Sequence, residues 1–358
     1  MRNFAPHFVL PPVDDRPSYC HIVKDTLKKV LKYILSVSIA VVLLWFSFRD
    51  VDWMEFMAGV KSCRWEFVVL SMAAGAFSFL LRALRWHQLL QPIDPSLKRV
   101  TVFNGVNIGN ISNFVFPRIG EFVRCGVIVR RSEPVDPSVP EHKKASYDKV
   151  LGTVVLERGW ELLVMLLMLA VVIVGGYERF GSFFMEQIWL PLSSRTGLNL
   201  WWVVLIICAA GAVLIYYIWK YRQTSRICNK IWSVAYGLIQ GLSSCLRMEK
   251  KWLFFAYTAL IWMTYWFMAA SIMWAAPFLE GLDMVDALFL SLVGGLGFAV
   301  PVPGGIGAFH FIIALALSVV YDIPMETGII YATLSHTAQA ITQIVFGIGS
   351  YVSEMVKN

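Results

Sequence analysis

The chain is 358 residues long, 58% hydrophobic and 15% charged, with a formal net charge of +7 and a mean hydropathy of +0.63. Soluble domains carry about 25% charged residues, so this composition excludes an ordinary soluble core and predicts a polytopic membrane protein. The positive balance is read as membrane topology, not as affinity for nucleic acid, because what matters is where Lys and Arg sit.

Residues 1–30 form a polar, proline-containing lead, long for a signal peptide. The first apolar run is therefore expected to be an uncleaved span behind a cytoplasmic tail. Runs long enough to cross, at roughly 20 residues each, lie near 31–48, 66–84, 152–176, 200–219, 252–277 and 327–350. Two more apolar stretches, 100–130 and 285–321, are interrupted.

Basic residues in short loops orient these segments. Lys24, Lys28, Lys29 and Lys32 precede the first span, and Lys98 and Arg99 follow the second. Arg130, Arg131, Lys143, Lys144 and Lys149 follow the first broken stretch, so 100–130 enters and leaves from the cytoplasm. The loop 177–199 is poor in Lys and Arg and is expected outside; WKYRQTSRICNKIW and LRMEKKW, after the fourth span, are inside. EGLDMVD and YDIPMET flank the second broken stretch without Lys or Arg, so 285–321 returns to the outside. The tail 351–358, with Lys357, is inside.

The expected fold is an all-α polytopic protein of a cell inner (cytoplasmic) membrane. It has about six full spans and two re-entrant helical hairpins, one from each face. Crossing by each broken stretch as a tilted pair fits the same loop charges, but the second arm of the first stretch is short for a span. The two stretches also resemble each other. Gly109 and Pro117 match Gly295 and Pro303 at equal spacing; after one inserted residue, Ile119, Gly120 and Phe122 match Ile306, Gly307 and Phe309. Residues 31–176 and 200–350 therefore read as an inverted-topology repeat with hairpins 100–130 and 285–321. The alternative is a bundle with two kinked helices. Pro117, Gly120, Pro301, Pro303, Gly304, Gly305 and Gly307 are expected to shape the hairpin tips.

Four constellations place polar chemistry in the membrane. Asn107, Asn110 and Asn113 recur every third residue, and Arg118, Glu121 and Arg124 continue that spacing, so they can share one helix face. This is either a net-positive wall for a lipid head group or a self-satisfied brace. Glu157 and Glu161, four apart with Arg158 between, are acid–base candidates or partners for Arg82, Arg85, Arg118 or Arg124. Arg82 and Arg85 either snorkel to the interface or bind lipid phosphate. His336, Gln339 and Gln343 form a stripe that either bonds between helices or lines a pathway. GxxxxGK[ST], HExxH and GxSxG are absent, and the six cysteines are scattered without CxxC. No cofactor, metal site or catalytic residue is expected.

The carriers RALRW (82–86), PRIGEFVR (117–124), ERGWE (157–161) and PVPGGIGAFH (301–310) resemble the flippase-like transmembrane region of lysylphosphatidylglycerol synthases. The resemblance spans roughly residues 30–350. It departs at His310, where the family commonly has an acid, and at Glu161, where it tends to have Asp. The resemblance implies lipid handling, and with the chain ending at Asn358 no aminoacyl-transferase domain is expected. The function expected is a translocator of an anionic, zwitterionic or polyprenyl-phosphate-linked lipid. The substrate-binding candidates are Arg82, Arg85, Asn110, Asn113, Arg118, Glu121, Arg124, Glu157, Arg158, Glu161, His310, His336 and Gln339. The alternatives are a membrane enzyme acting on a lipid head group or lipid-linked sugar, and an accessory partner of such an enzyme.

Overall fold

A computed structural model describes residues 19–133, 144–176, 190, 193–194 and 200–356. The polar lead before Tyr19, Lys143, most of the expected loop 177–199, and Lys357 lie outside the described residues. Those described form twelve α-helices and no strand. They are α1 (Tyr19–Phe48), α2 (Trp53–Ser62), α3 (Trp65–Leu90), α4 (Arg99–Val115), α5 (Gly120–Arg131), α6 (Tyr147–Gly175), α7 (Leu200–Tyr221), α8 (Arg226–Leu246), α9 (Lys251–Ala275), α10 (Met284–Ala299), α11 (Ala308–Tyr321) and α12 (Met325–Val356).

Each of the six apolar runs lies largely within a helix: α1, α3, α6, α7, α9 and α12. By length and apolarity, α3, α6, α9 and the segment Pro303–Tyr321 can cross a bilayer. A further crossing results if α1 and α2, bent by 87° to one another, are counted as one span. The bend follows from α2's own start signal, since Asp52 caps it by accepting from the N–H groups of Met54 (2.7 Å) and Glu55 (3.3 Å).

Both interrupted stretches are helix–break–helix units. At a rise of about 1.5 Å per residue, α4, α5, α10 and α11 measure about 25, 18, 24 and 21 Å, all short of a hydrocarbon core of about 30 Å. The second unit reaches crossing length only when the 3-10 turn Pro303–Gly305 is added to α11.

The expectation that Asn107, Asn110 and Asn113 share a face with Arg118, Glu121 and Arg124 is corrected. The helix stops after Val115 and restarts at Gly120, with Arg118 in a left-handed conformation (φ 63°) between them. The break resets the helical phase, so the two triplets do not belong to one helix.

Close backbone approach holds the first unit together. A Cβ on Gly120 would collide with the Gly109 carbonyl, and the Asn113 side chain accepts the Gly120 N–H at 2.7 Å. In the second unit Gly304, Gly305 and Gly307 all have positive φ. Gly307 lies against the α1 backbone at Ala40 and Leu44, and Ser36 of α1 donates to the Pro301 carbonyl.

The antiparallel pair α3–α9 forms the centre. Gly75 admits Met268, and Ser71 donates to the Met268 carbonyl at 3.3 Å. At one end the Arg64 N–H donates to the Ala275 carbonyl (2.8 Å) and its guanidinium to the Trp274 carbonyl, so a cation closes the C-terminus of α9. Two apolar clusters flank this axis, one around Ile272, Ile313, Ile329 and Tyr331, the other around Trp86, Leu90, Ile128, Val154 and Phe254.

Gly120→Ala is expected to lower the unfolding midpoint in detergent micelles, with a cost of about 1–3 kcal/mol for forcing a methyl into packed backbone. Gly126→Ala, whose added methyl meets nothing within 4 Å, is expected not to.

Candidate functional site

The charged site is assembled where α3, α5 and α6 meet. On α6, Glu157 and Glu161 are one turn apart and face α3. Arg85 enters from α3, its Nη2 donating to Glu157 Oε1 at 2.9 Å and to Glu161 Oε1 at 2.7 Å. Arg124 arrives from α5 and places Nη1 2.8 Å from Glu157 Oε2. Arg158 donates to Glu161 Oε2 (2.5 Å) and to Glu121 Oε1 (2.7 Å). The order is Arg124–Glu157–Arg85–Glu161–Arg158–Glu121. It begins and ends on α5, where Glu121 and Arg124 are three residues apart, so five ion pairs among three arginines and three glutamates make a formally neutral ring closed through the α5 backbone.

Burial differs around this ring. Arg85 and Glu157 are both 0% exposed, whereas the Arg158 side chain is 45% exposed. The site is therefore sealed at Glu157 and open at Arg158. Aromatic rings complete it: the Arg124 guanidinium stacks over Trp86 at 4.5 Å, and that indole donates to Thr153 Oγ1 at 2.9 Å. Thr258 of α9 stands 3.5 Å from Arg85 Nη1.

Arg82 is not part of the ring. Its Nη1 reaches Asn110 Oδ1 at 3.4 Å, and among the described residues no carboxylate pairs with it. Arg118 is also outside it, its Nη2 donating to the Ala299 carbonyl at 2.5 Å. That bond joins the break of the first unit to the end of α10. Phe114 packs on Gly304 at the same junction.

His310 and His336 form a second group, with Gln339 three residues after His336 on α12. The imidazoles are 4.9 Å apart, and His336 Nε2 is 2.9 Å from the Gly304 carbonyl. Phe298 stacks on His336, while Phe48 and Phe309 edge the pair. Gln339 donates to Ser335 at 3.4 Å.

The sequence reading missed a fastening at the other end of the first unit. Glu354 of α12 accepts from Asn104 of α4 (2.7 Å) and from Arg131 of α5 (2.8 Å). Asn104 precedes Asn107 by the same three-residue step and could have been found by extending that series.

Residues 33–347 match the family described as the lysylphosphatidylglycerol synthase TM region. The chain belongs to that family. Comparison with curated proteins and with solved structures gives no match. The family places the chain among membrane proteins of lipid metabolism or translocation. All four motifs that carried the resemblance fall inside the matched region. RALRW, PRIGEFVR and ERGWE supply the whole ring, and PVPGGIGAFH supplies the break between α10 and α11.

Replacing Glu157 by Gln leaves Arg85 and Arg124 short of a buried counter-charge. Thermal unfolding in micelles is expected to show a loss of about 3–5 kcal/mol. Glu133→Gln, which breaks an exposed 3.5 Å pair with Lys144, is expected to cost less than about 1 kcal/mol.

Proposed function

We propose that this protein is a flippase- or scramblase-like translocator for a lipid with an anionic, zwitterionic or polyprenyl-phosphate-linked head group. The observation that carries the proposal is the ring itself. Ionised groups inside a membrane protein face the interior, pair with one another and mark pathways. This ring is sealed at Glu157 and exposed at Arg158, as a site that admits a polar head group from one side must be.

The proposed architecture has six full spans, α1, α3, α6, α7, α9 and α12. The α4–α5 and α10–α11 units are hairpins from opposite faces, and both termini are on the cytoplasmic side of the inner membrane. The halves 31–176 and 200–350 are read as an inverted repeat. Supporting this are contacts that interchange when the halves are exchanged. Amphipathic α2 packs on α12, and α8 on α6; α4 packs on α12, and α10 on α6; α3 packs on its own counterpart α9. Such repeats bring two broken helices together near the midplane, and the Arg118–Ala299 bond joins the two breaks.

Glu157 and Glu161 are assigned to ion pairing, not proton transfer, because each already accepts charge from two arginines. The proposal is therefore of a translocator and not of an enzyme.

Purified protein in vesicles is expected to move fluorescent phosphatidylglycerol, phosphatidylcholine or a polyprenyl-phosphate lipid between leaflets faster than protein-free vesicles. If none of the three moves faster, the proposal fails.

A further inference from the structure

Resting on the head-group reading above, we infer that the phosphate is held by Arg82, Asn110 and Arg124, and that it takes Arg124 from Glu157. The ring is neutral by itself, so Arg82 is a cation in excess. Arg82 Nε, Asn110 Nδ2 and both terminal nitrogens of Arg124 are buried without a hydrogen-bond partner among the described residues. Native structures rarely leave buried donors empty, and a group of them calls for a ligand.

These donors converge from three helices. Arg82 touches Asn110. Gly109, beside Asn110, lies against Arg124 Cβ, its missing side chain allowing α5 to approach. Arg124 is 3% exposed and braced from behind by Trp86.

The Arg124–Glu157 contact is the weak link of the ring. The atoms are 2.8 Å apart, yet Arg124 Nη1 and Glu157 Oε2 both lack a properly aligned hydrogen bond. The pair is held by charge without the directional part of a charge-assisted bond. A phosphate oxygen beside Arg82 offers Arg124 the alignment that Glu157 does not. Glu157 keeps Arg85 through its other oxygen at 2.9 Å, so the exchange strands no carboxylate. The chemistry recognised is a phosphate anion, whether on a lipid or free.

The test uses the full chain in detergent micelles with equilibrium binding as readout. The probes are dioleoyl phosphatidylglycerol, inorganic phosphate, and a galactosyl diacylglycerol that has no phosphate. Phosphatidylglycerol is expected to bind at least about tenfold more tightly than the galactolipid. Arg82→Gln and Asn110→Leu are each expected to weaken it about tenfold, as for one lost hydrogen bond to a charged group. Lys98→Gln, on an exposed cation outside the site, is expected to leave it unchanged.

Competition by inorganic phosphate supports a shared subsite filled by the lipid. Binding of phosphate but not of phosphatidylglycerol, lost in the same variants, supports the site with a free anion as its source. Wild-type affinity for both probes in Arg82→Gln and Asn110→Leu overturns it. Should Arg82→Gln fail to fold, Arg82→Lys, which keeps the charge but not Nε, carries the test with Asn110→Leu. The two readings separate cleanly. Variant-sensitive binding without lipid movement in vesicles removes the translocator and keeps the site. Lipid movement with binding that neither substitution weakens does the reverse.

Discussion

Glu157 is a carboxylate with no exposed surface inside a bundle of apolar helices. The desolvation cost of such a charge is several kcal/mol and is offset only by close, well-placed cations. That requirement determines which helices must meet. Arg85 can reach Glu157 only if α3 lies along α6, and Arg124 only if α5 doubles back beside both. The chain turns at Phe116–Ile119 and α4 carries small residues at its contact with α5, which is what lets α5 come that close. Hydrophobic burial gains little between helices already in lipid, so the ion pairs and the glycine contacts decide the arrangement.

A ring that begins and ends on one helix has a consequence for motion. Glu121 and Arg124 bind different arms of the ring from a single turn of α5. A rigid shift of α5 therefore stretches both contacts at once, whereas a side-chain movement of Arg124 alone leaves the Glu121–Arg158 pair in place. The same short unit is tied at its far end by Glu354, which holds both of its arms, and at its break by Arg118 on the Ala299 carbonyl. The first unit is thus fixed at three points by charge, while the second is fixed by packing of Gly307 on α1 and Phe114 on Gly304 and by hydrogen bonds to its own backbone carbonyls at Pro301 and Gly304. The two units have similar outlines and different chemistry.

Much of this was legible in the sequence, for identifiable reasons. Long apolar runs mark helices whatever their partners, and PVPGG announces a break because proline lacks an N–H and glycine accepts positive φ. Glu157 and Glu161 four residues apart had to share a face. What could not be read was phase across a break. Arg118 and Arg124 look equivalent by spacing, yet Arg118 lies in a left-handed turn and Arg124 on the next helix, so one bonds a carbonyl and the other a carboxylate. Contacts distant in sequence were equally invisible. Nothing local in Ser36 points to Pro301, and nothing in Trp86 predicts that it will carry Arg124.

Neutrality of the ring is what allows it to exist without a ligand. If its charges summed to plus two or three, the empty protein would hold several uncompensated cations in a medium that screens them poorly. If every arginine including Arg82 had its own carboxylate, no anion could bind without breaking an aligned pair. The chain lies between these limits: six groups cancel, one arginine is left over, and one of the five ion pairs is close but misaligned. In the exchange inferred above, an anion at Arg82 meets a cation with no carboxylate partner among the described residues and a neighbour whose existing bond is the least directional in the ring. Affinity under these conditions is bounded by a single exchanged ion pair. The translocation proposed above would require such moderate, reversible binding, because the cargo must be released on the other side of the membrane.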